Sequence, residues 1–187
     1  MKLIAGSASH PLSRKISTAL KLPIIETQTK RFPDGELYIR ILEDIKNEEI
    51  LIVQTTYPDE NIIELFLLLD AVKRAKAKNI TVIIPYFGYA RQDKQFKNGE
   101  PISAAALARL IGTLADKIIT VDPHKEHILD FFTIPAKSVS AVKPIATYLK
   151  EKQIELVLAP DHGALDRAKQ AANCLECDVD YLEKTRL

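Results

Sequence analysis

Three short polar clusters follow apolar runs in this sequence, and each contains side chains that could bind phosphate or a metal ion. They span residues 86–94, 122–127 and 161–164. In open α/β sheets, ligands bind just beyond the carboxyl ends of the strands. If the apolar runs are strands, we expect the chemistry of this chain in these three clusters.

The first cluster, residues 86–94, combines aromatic rings with two cations. The rings could cover a nucleotide base, while Arg91 and Lys94 could meet phosphate oxygens. An ordinary exposed loop could carry the same charges. However, Gly88 and Gly99 bracket a long polar segment, and such a segment in a compact domain is usually functional or disordered. Its position therefore favours a ligand loop.

The second cluster offers His124 and Asp122 as magnesium ligands, bound directly or through water. Magnesium takes few protein ligands and keeps much of its hydration, so one histidine and one carboxylate would suffice. A lone histidine is more often a plain polar contact, and the residues alone leave both interpretations open.

The third cluster, Asp161-His162-Gly163-Ala164, comes directly before a predicted helix. Gly163 would permit close approach of the backbone, and free N–H groups at a helix start suit a phosphate. Asp161 could equally be a helix N-cap. The spacing of the cluster is compatible with both roles.

Strands alternate with helices along almost the entire chain, which predicts an α/β fold with a parallel sheet and helices on both of its faces. The predicted strands span residues 2–5, 24–27, 37–41, 50–54, 80–85, 117–121, 154–160 and 179–182. The predicted helices span residues 12–20, 60–78, 102–114, 142–151 and 164–172. A weak change in composition over residues 138–144 predicts a boundary between a domain of residues 1–140 and one of residues 141–187.

The predicted helix over residues 60–78 ends in a group of lysines and an arginine. These cations, at positions 73, 74, 76 and 78, would complement the negative end of the helix dipole, with Asn79 as the stop. We therefore interpret them as a solvated helix end and not as a nucleic-acid patch.

Composition limits the partners and the location of the protein. The chain has 187 residues and a net charge of +1, so no global field would attract nucleic acid or a membrane surface. It has no apolar run long enough for a signal peptide or a membrane span. Cys174 and Cys177 could be redox-active or half of a zinc site, but two thiols without a second pair favour packing residues in a reducing compartment. We expect a cytoplasmic protein.

Together, the motifs resemble the ribose-phosphate pyrophosphokinase (phosphoribosyl diphosphate synthetase) family and are most similar to its archaeal members. The resemblance follows family order along the entire chain. It rests on Gly6-Ser7, Arg31-Phe32-Pro33-Asp34-Gly35-Glu36, Tyr89-Ala90-Arg91-Gln92-Asp93-Lys94, Pro101-Ile102-Ser103, Asp122-Pro123-His124, Asp130-Phe131-Phe132, Ile134-Pro135, Pro160-Asp161-His162-Gly163 and Lys184-Thr185-Arg186.

This resemblance implies magnesium-dependent transfer of the diphosphoryl group of ATP to the anomeric hydroxyl of ribose 5-phosphate, which gives phosphoribosyl diphosphate and AMP. It implies phosphoribosyltransferase-like parallel sheets flanked by helices. Residues 1–140 would be a complete domain for ATP binding and oligomerisation, and residues 141–187 the incomplete start of a catalytic domain. It also implies a homo-oligomer of at least two copies.

The resemblance assigns roles to individual residues. Phe32, Asp34 and Glu36 would hold the adenine across a subunit interface, while Arg91 and Gln92 would contact the nucleotide from the same subunit. The remaining roles concern phosphate and metal. His124 and Asp161 would belong to the magnesium sites. The pyrophosphate would be received by Asp161, His162, Gly163 and Ala164. Lys184 and Arg186 would neutralise charge on the transferred group.

Two features depart from the family pattern. Many members have a second glycine where this chain has Ala164. The family's ribose-5-phosphate loop, an Asp-Asp pair followed by a Thr-Gly-Gly-Thr-like turn, does not occur in the 187 residues, and we expect a truncated or partial sequence. Two alternatives remain: a non-catalytic regulatory subunit that associates with complete synthetases, and a phosphoribosyltransferase, which would not need an ATP site.

Overall fold

The described part of the chain, residues 1–183 of a computed structural model, divides into two units. The first unit spans Met1–Val139 and the second begins at Ser140. Each unit has its own parallel strands and its own helices.

The first unit is built on a five-stranded parallel sheet and a separate hairpin. Its strands are β1 (Lys2–Ala5), β2 (Thr27–Arg31), β3 (Leu37–Ile41), β4 (Glu49–Val53), β5 (Asn79–Ile84), β6 (Lys117–Val121) and β7 (Ala136–Val139). The sheet has the order β1-β4-β5-β6-β7, and every neighbouring pair is parallel. β2 and β3 pair with each other in an antiparallel hairpin.

Register places the apolar residues of the sheet in continuous rows. Ile4, Ile52, Val82 and Ile118 align across four neighbouring strands, and all four are fully buried. Burial of each of these side chains contributes about 1.5–3 kcal/mol to the stability of the fold. Strands that are apolar on both faces are typical of parallel sheets covered by helices, which explains their near-continuous apolar sequence.

Helices cover both faces of this sheet, as the alternating pattern predicts. They are α1 (His10–Leu20), α2 (Asp59–Arg74) and α3 (Ser103–Gly112). Leu3 and Ala5 form a small core to which Ile16 of α1 contributes, whereas Ile4 belongs to the main core with apolar residues of α2 and α3. The predicted α/β class with a helix-flanked parallel sheet is confirmed. None of the helices within residues 1–183 combines the length and the apolar character needed to cross a membrane.

The second unit contains α4 (Val142–Leu149), β8 (Leu156–Ala159), α5 (Leu165–Leu175) and β9 (Asp178–Tyr181). β8 and β9 pair in parallel. In the described part of this unit, the buried hydrophobic residues are all alanines, at positions 146, 159, 168 and 172. Larger side chains stay half-exposed, for example Leu156 and Leu158 at 49% each.

The strand predicted over residues 24–27 is wrong in position. Ile24 forms only an isolated bridge to Leu3, and the regular strand β2 starts at Thr27. β2 pairs with β3 from Thr27 opposite Ile41 to Arg31 opposite Leu37. Its sequence is polar and mostly exposed, so it lacks the apolar alternation by which strands are usually recognised.

The predicted end of the second helix is also wrong. α2 stops at Arg74, and Lys76 takes a left-handed conformation with φ of 59°. Asn79 is not a helix stop but the first residue of β5. Lys73 and Arg74 do lie in the last turn of α2, where their charge complements the dipole.

Strand β7 has no counterpart in the sequence-based prediction. It occupies Ala136–Val139 and thus overlaps the stretch interpreted as a domain boundary. Four residues of alternating polarity at the edge of a sheet carry too little pattern to be recognised without their partner strand.

We expect backbone amides of β8 and β9 to exchange with solvent deuterium faster than those of β4 and β5. The free energy of local opening rises with the apolar surface that an element buries, and the alanine core of the second unit buries little. Hydrogen–deuterium exchange by mass spectrometry on the whole chain measures this, with β4 peptides as the internal reference. Equal protection in both sheets would contradict the prediction.

Candidate functional site

The carboxyl ends of the parallel strands in the first unit lie along one edge of the sheet. The first two polar clusters follow β5 and β6, and these strands are direct neighbours. The segments that follow β1 and β4 belong to the same edge because β1-β4-β5 are adjacent. The structure therefore brings the first and second clusters to neighbouring positions of one sheet edge, and the third cluster belongs to the second unit.

A buried carboxylate connects two of the segments along this edge. Glu64 of α2 is only 3% exposed and accepts hydrogen bonds from the backbone N–H of Ser7 at 2.8 Å and from Nε2 of Gln54 at 2.9 Å. The Ser7 hydroxyl donates a further, short bond to the same carboxylate. A Cβ at Gly6 would stand 2.4 Å from the Gln54 side chain, so the segment after β1 needs glycine there. Glu64 thus holds the ends of β1 and β4 together.

The loop after β5 begins with a tight contact to the end of β4. The backbone N–H of Gly88 donates to the Thr56 hydroxyl at 2.7 Å, and the N–H of Thr56 donates to the carbonyl of Tyr86 at 3.1 Å. A Cβ at Gly88 would lie 2.5 Å from the Thr56 carbonyl oxygen, which only glycine avoids. The base of the loop is therefore anchored before its charged residues begin.

Tyr89 gives the loop a second anchor. It adopts φ of 62°, and its hydroxyl donates to Oδ1 of Asp59 at 2.8 Å. This hydrogen bond stabilises the neutral phenol and raises the pKa of Tyr89 above its ordinary value, with smaller contributions from desolvation and from the Asp59 charge. The ring is therefore tied to the first turn of α2.

Arg91 and Gln92 differ in how much of each side chain is exposed to solvent and free to contact a ligand. Arg91 is exposed, whereas Gln92 is half-buried and its Oε1 accepts a hydrogen bond from the Ser103 hydroxyl. The Gln92 carbonyl also accepts from the N–H of Ala104 at 3.2 Å. Because Ser103 donates to the amide oxygen of Gln92, the two N–H donors of that amide point away from Ser103. The pair can offer a cation and amide donors to a phosphate.

Asp93 continues the loop toward the segment that follows β6. Its Oδ2 lies 3.1 Å from Nε2 of His127. The Asp93 side chain is 14% exposed and that of His127 is 51% exposed. This contact connects the first polar cluster with the second. The cation Lys94, which follows, lies over the ring of Phe96 at 5.2 Å from its centroid.

His124 and Asp122 stand where β6 ends. His124 is exposed, and Asp122 is half-buried with φ of 39° and donates its N–H to the carbonyl of Val139 at 3.1 Å. Among residues 1–183, no three His, Cys, Asp or Glu side chains converge on one point. An exposed histidine beside a half-buried carboxylate offers few ligand atoms. Such a set fits magnesium, which keeps most of its water, better than a metal that needs a closed cage of protein ligands.

Phe32, Asp34 and Glu36 are all exposed at the tip of the β2–β3 hairpin. The turn is closed by the backbone N–H of Phe32, which donates to the carbonyl of Glu36 at 2.8 Å, and Gly35 takes a left-handed φ of 95°. The N–H of Glu36 also donates to Oδ1 of Asp34 at 3.1 Å. The Phe32 ring is 44% exposed and meets the Tyr38 ring edge-on with centroids 5.6 Å apart. No hydrogen bond or ion pair within residues 1–183 joins this tip to the loop of Arg91. The tip presents its side chains outward.

Two clefts of about 250 and 380 Å³ lie beside the hairpin. Arg31, Leu37 and Glu60 line both of them, and the Arg31 guanidinium forms an ion pair with Glu60. Neither cleft is lined by Arg91 or Gln92. Of the nucleotide-contacting residues expected from the sequence, Arg91 and Gln92 therefore stand outside these clefts, whereas Glu36 lines the larger one.

In the second unit, Asp161 has the N-cap geometry that was one of its two expected roles. Its Oδ1 accepts from the N–H of Ala164 at 3.2 Å, and His162–Ala164 form a short 3-10 turn before α5. His162 is exposed, and its ring meets Tyr181 edge-on at 5.7 Å. A Cβ at Gly163 would come within 3.2 Å of Oδ1 of Asp161, so glycine keeps this turn open. Lys184 and Arg186 lie outside the described residues.

Sequence reasoning did not identify Glu64 as important, although the helix pattern contained the information. Glu64 lies on the buried stripe of α2 with Leu65, Leu68 and Leu69, at helical spacing. A carboxylate on an apolar stripe needs hydrogen-bond donors, because burying it without them is costly. The pairing of Asp93 with His127 could not be recognised in this way, since nothing local connects the two residues.

We expect Glu64→Ala to lower the free energy of unfolding by about 3 kcal/mol, because the buried amide of Gln54 and the part-buried N–H and hydroxyl of Ser7 lose their acceptor. Urea denaturation of the whole chain measures the change. Glu60→Ala, one turn earlier on α2, is the matched control: Glu60 is exposed and its ion pair with Arg31 contributes less than about 1 kcal/mol. A variant at position 64 as stable as the Glu60 control would disprove the structural role.

Comparison with known proteins connects this geometry to one family. The family model described as the N-terminal domain of ribose phosphate pyrophosphokinase matches residues 1–114. A curated ribose-phosphate pyrophosphokinase of Methanobrevibacter smithii is 43% identical over 189 residues, which cover 99% of this chain and 63% of that protein. Its counterpart from Saccharolobus solfataricus is 40% identical over 190 residues, which cover all of this chain and 65% of that protein.

A solved structure is similar as well. The crystal structure of phosphoribosylpyrophosphate synthetase from Mycobacterium smegmatis matches with a TM-score of 0.87 at 32% sequence identity. The match covers the whole of this chain and 65% of that one. This chain thus spans just under two thirds of the length of the relatives it matches.

Proposed function

Because the chain belongs to the ribose-phosphate pyrophosphokinase family, we propose that it supplies the ATP-binding half of diphosphoryl transfer to ribose 5-phosphate. In this reaction the anomeric hydroxyl attacks the β-phosphorus of ATP, the bond from that phosphorus to the α,β-bridging oxygen breaks, and AMP leaves. The products are phosphoribosyl diphosphate and AMP. The observation that carries the proposal is the adjacency of the Arg91–Gln92 loop and the His124 segment at one sheet edge.

Arg91 and Gln92 would bind the phosphates of ATP. The exposed guanidinium can form charge-assisted hydrogen bonds to phosphate oxygens, and the Gln92 amide, oriented by Ser103, can add neutral donors. Phosphoryl transfer depends mainly on positioning and on stabilising charge, so groups fixed before ATP arrives are suited to this task.

Phe32, Asp34 and Glu36 would hold the adenine of ATP bound to a second copy of the chain. Their exposure at the hairpin tip supports this role, because an outward-facing ring is free to stack on a base. The carboxylates can accept hydrogen bonds from adenine and ribose donors. The proposed protein is accordingly a homo-oligomer of at least two copies, located in the cytoplasm, without nucleic-acid or membrane partners.

His124 in the first unit and Asp161 in the second would each contribute a ligand to a magnesium site. Asp161 uses Oδ1 for its N-cap, which leaves Oδ2 as a candidate ligand atom, and exposed His124 offers an imidazole nitrogen. When bound, magnesium would neutralise charge on the phosphates.

Asp161, His162, Gly163 and Ala164 would receive the transferred pyrophosphate. The backbone N–H of Ala164 already donates to Asp161, so other N–H groups of the turn must serve the ligand. Gly163 keeps one face of the turn free of a Cβ. Lys184 and Arg186 would supply positive charge to the transferred group.

We expect Arg91→Ala to weaken binding of Mg·ATP by about 10- to 100-fold, because hydrogen bonds to charged groups contribute about 1.5–3 kcal/mol. Isothermal titration calorimetry on the purified chain measures the affinity. Arg109→Ala removes an equally exposed arginine from the last turn of α3 and should leave the affinity unchanged. If both variants bind Mg·ATP with the affinity of the unchanged chain, the proposed role of Arg91 is wrong.

The direct test of the proposed function is AMP release from ATP with magnesium, with and without ribose 5-phosphate. We expect saturable Mg·ATP binding but no sugar-dependent AMP release, because the 187 residues contain no Asp-Asp pair with a Thr-Gly-Gly-Thr-like turn. Sugar-dependent release would mean that the chain is a synthetase on its own. A folded chain that binds no ATP would overturn the proposal, and an altered rate of a complete synthetase on mixing would favour the regulatory alternative.

A further inference from the structure

We propose that His127 is a positioning residue, which holds the ATP loop, defined as residues 86–94, through its contact with Asp93. This inference rests on the proposed function, because it assigns a task to the loop that carries Arg91 and Gln92. It adds a residue from outside that loop, in the segment that follows β6. His127 itself contacts no substrate in this proposal.

The contact of Asp93 with His127 reconnects two segments that leave neighbouring strands. The ladder between β5 and β6 ends with Ile84 opposite Thr120, where the Thr120 hydroxyl donates to the carbonyl of Ile84 at 3.0 Å. Beyond this point the two chains diverge into the polar segments. The contact of Asp93 Oδ2 with His127 Nε2 at 3.1 Å then connects the segments again, nine residues after Ile84 on one side and seven after Thr120 on the other.

The Asp93 carboxylate is largely removed from water. The Asp93 side chain is 14% exposed, so its carboxylate has given up much of its hydration. A carboxylate in this position needs donors, because an unpaired, partly buried charge is costly. His127 places its Nε2 3.1 Å from this carboxylate, and without that partner we expect Asp93 to turn toward water. Since Arg91 lies only two residues away, such a movement would displace the guanidinium.

His127 lies on a segment that is itself held in place. Its ring meets Phe131 edge-on at 5.8 Å, within the 3-10 segment Glu126–Phe131. The next residue, Ile128, is fully buried, and Glu126 accepts hydrogen bonds from the Ser138 hydroxyl of β7 at 3.0 and 3.1 Å. His127 is therefore held on a segment that is fixed by the core and by the edge strand.

The ATP loop is already attached on its other side, where Ser103 and Ala104 of α3 contact Gln92. With Asp93 held by His127, the residues on either side of the Gln92–Asp93 peptide are attached to different elements. Two attachments restrict rotation of the loop more than one does. The geometry thus points to His127 as the second attachment, with Arg91 positioned between the anchored Tyr89 and this pair.

The test compares His127→Ala with His127→Gln in the 187-residue chain. Glutamine places an amide nitrogen near the position of Nε2 and keeps a donor for Asp93, whereas alanine removes it. We expect His127→Ala to weaken Mg·ATP binding by about fivefold or more and His127→Gln to stay within about twofold of the unchanged chain. His10→Ala, an exposed histidine at the start of α1, is the matched control.

Hydrogen–deuterium exchange of the peptide that contains residues 86–94 gives a readout that does not need ATP. Faster exchange in His127→Ala, restored in His127→Gln, would support the positioning role. Unchanged exchange together with unchanged ATP affinity would overturn it, as would equal defects in both variants, because the donor would then be irrelevant. If the unchanged chain binds no ATP while His127→Ala still loosens the loop, the proposed function fails and the attachment stands. Asp93→Asn provides a second variant if His127→Ala does not fold.

Discussion

The carboxylate of Glu64 is the contact on which the arrangement of this sheet edge depends. A parallel sheet places all of its strand ends at one edge, but it leaves the segments beyond the ends without a common ladder. In this chain the Gly6 N–H still donates to the Val53 carbonyl, and beyond it the Glu64 side chain of α2 continues the connection between β1 and β4 by accepting hydrogen bonds from Ser7 and from the buried Gln54. A second set of contacts, between Thr56 and Gly88, extends the connection to the loop after β5. The polar residues of the first unit therefore stand on segments that the core itself holds in place.

These attachments matter because the chemistry proposed for the site requires fixed charges more than reactive groups. The oxygens of a phosphate chain are satisfied by cations and hydrogen-bond donors whose positions do not have to be reorganised during the reaction. Arg91 carries its charge on a loop whose neighbours, Tyr89, Gln92 and Asp93, each contact a different element. The side chain can remain exposed to an incoming ligand while the backbone beneath it is restrained. A loop of the same composition without these contacts would have to be ordered by ATP, at a cost in affinity.

Much of the fold could be predicted from the sequence, because the strands of the main sheet are apolar on both faces and alternate with amphipathic helices. The secondary-structure predictions that were wrong or missing have local physical reasons. β2 is polar because it belongs to an exposed hairpin, and β7 is a four-residue edge strand. The end of α2 depends on the left-handed conformation of Lys76, which a non-glycine side chain rarely adopts and composition does not reveal.

The sequence proposes a set of candidate site residues but not the contacts that hold them. Arg91 and His124 stand out by type and by position after strands, and Gln92 by the family resemblance, whereas Glu64 and the partner of Asp93 become visible only when distant segments are brought together. The distinction has a physical basis: residues that meet a ligand are selected for their chemistry, which the sequence displays directly. Residues that hold them are selected for a position relative to another segment, and that relation exists only in the folded chain. His127 belongs to the second kind, because its proposed task is to hold the largely buried Asp93 carboxylate opposite its Nε2 and not to react itself.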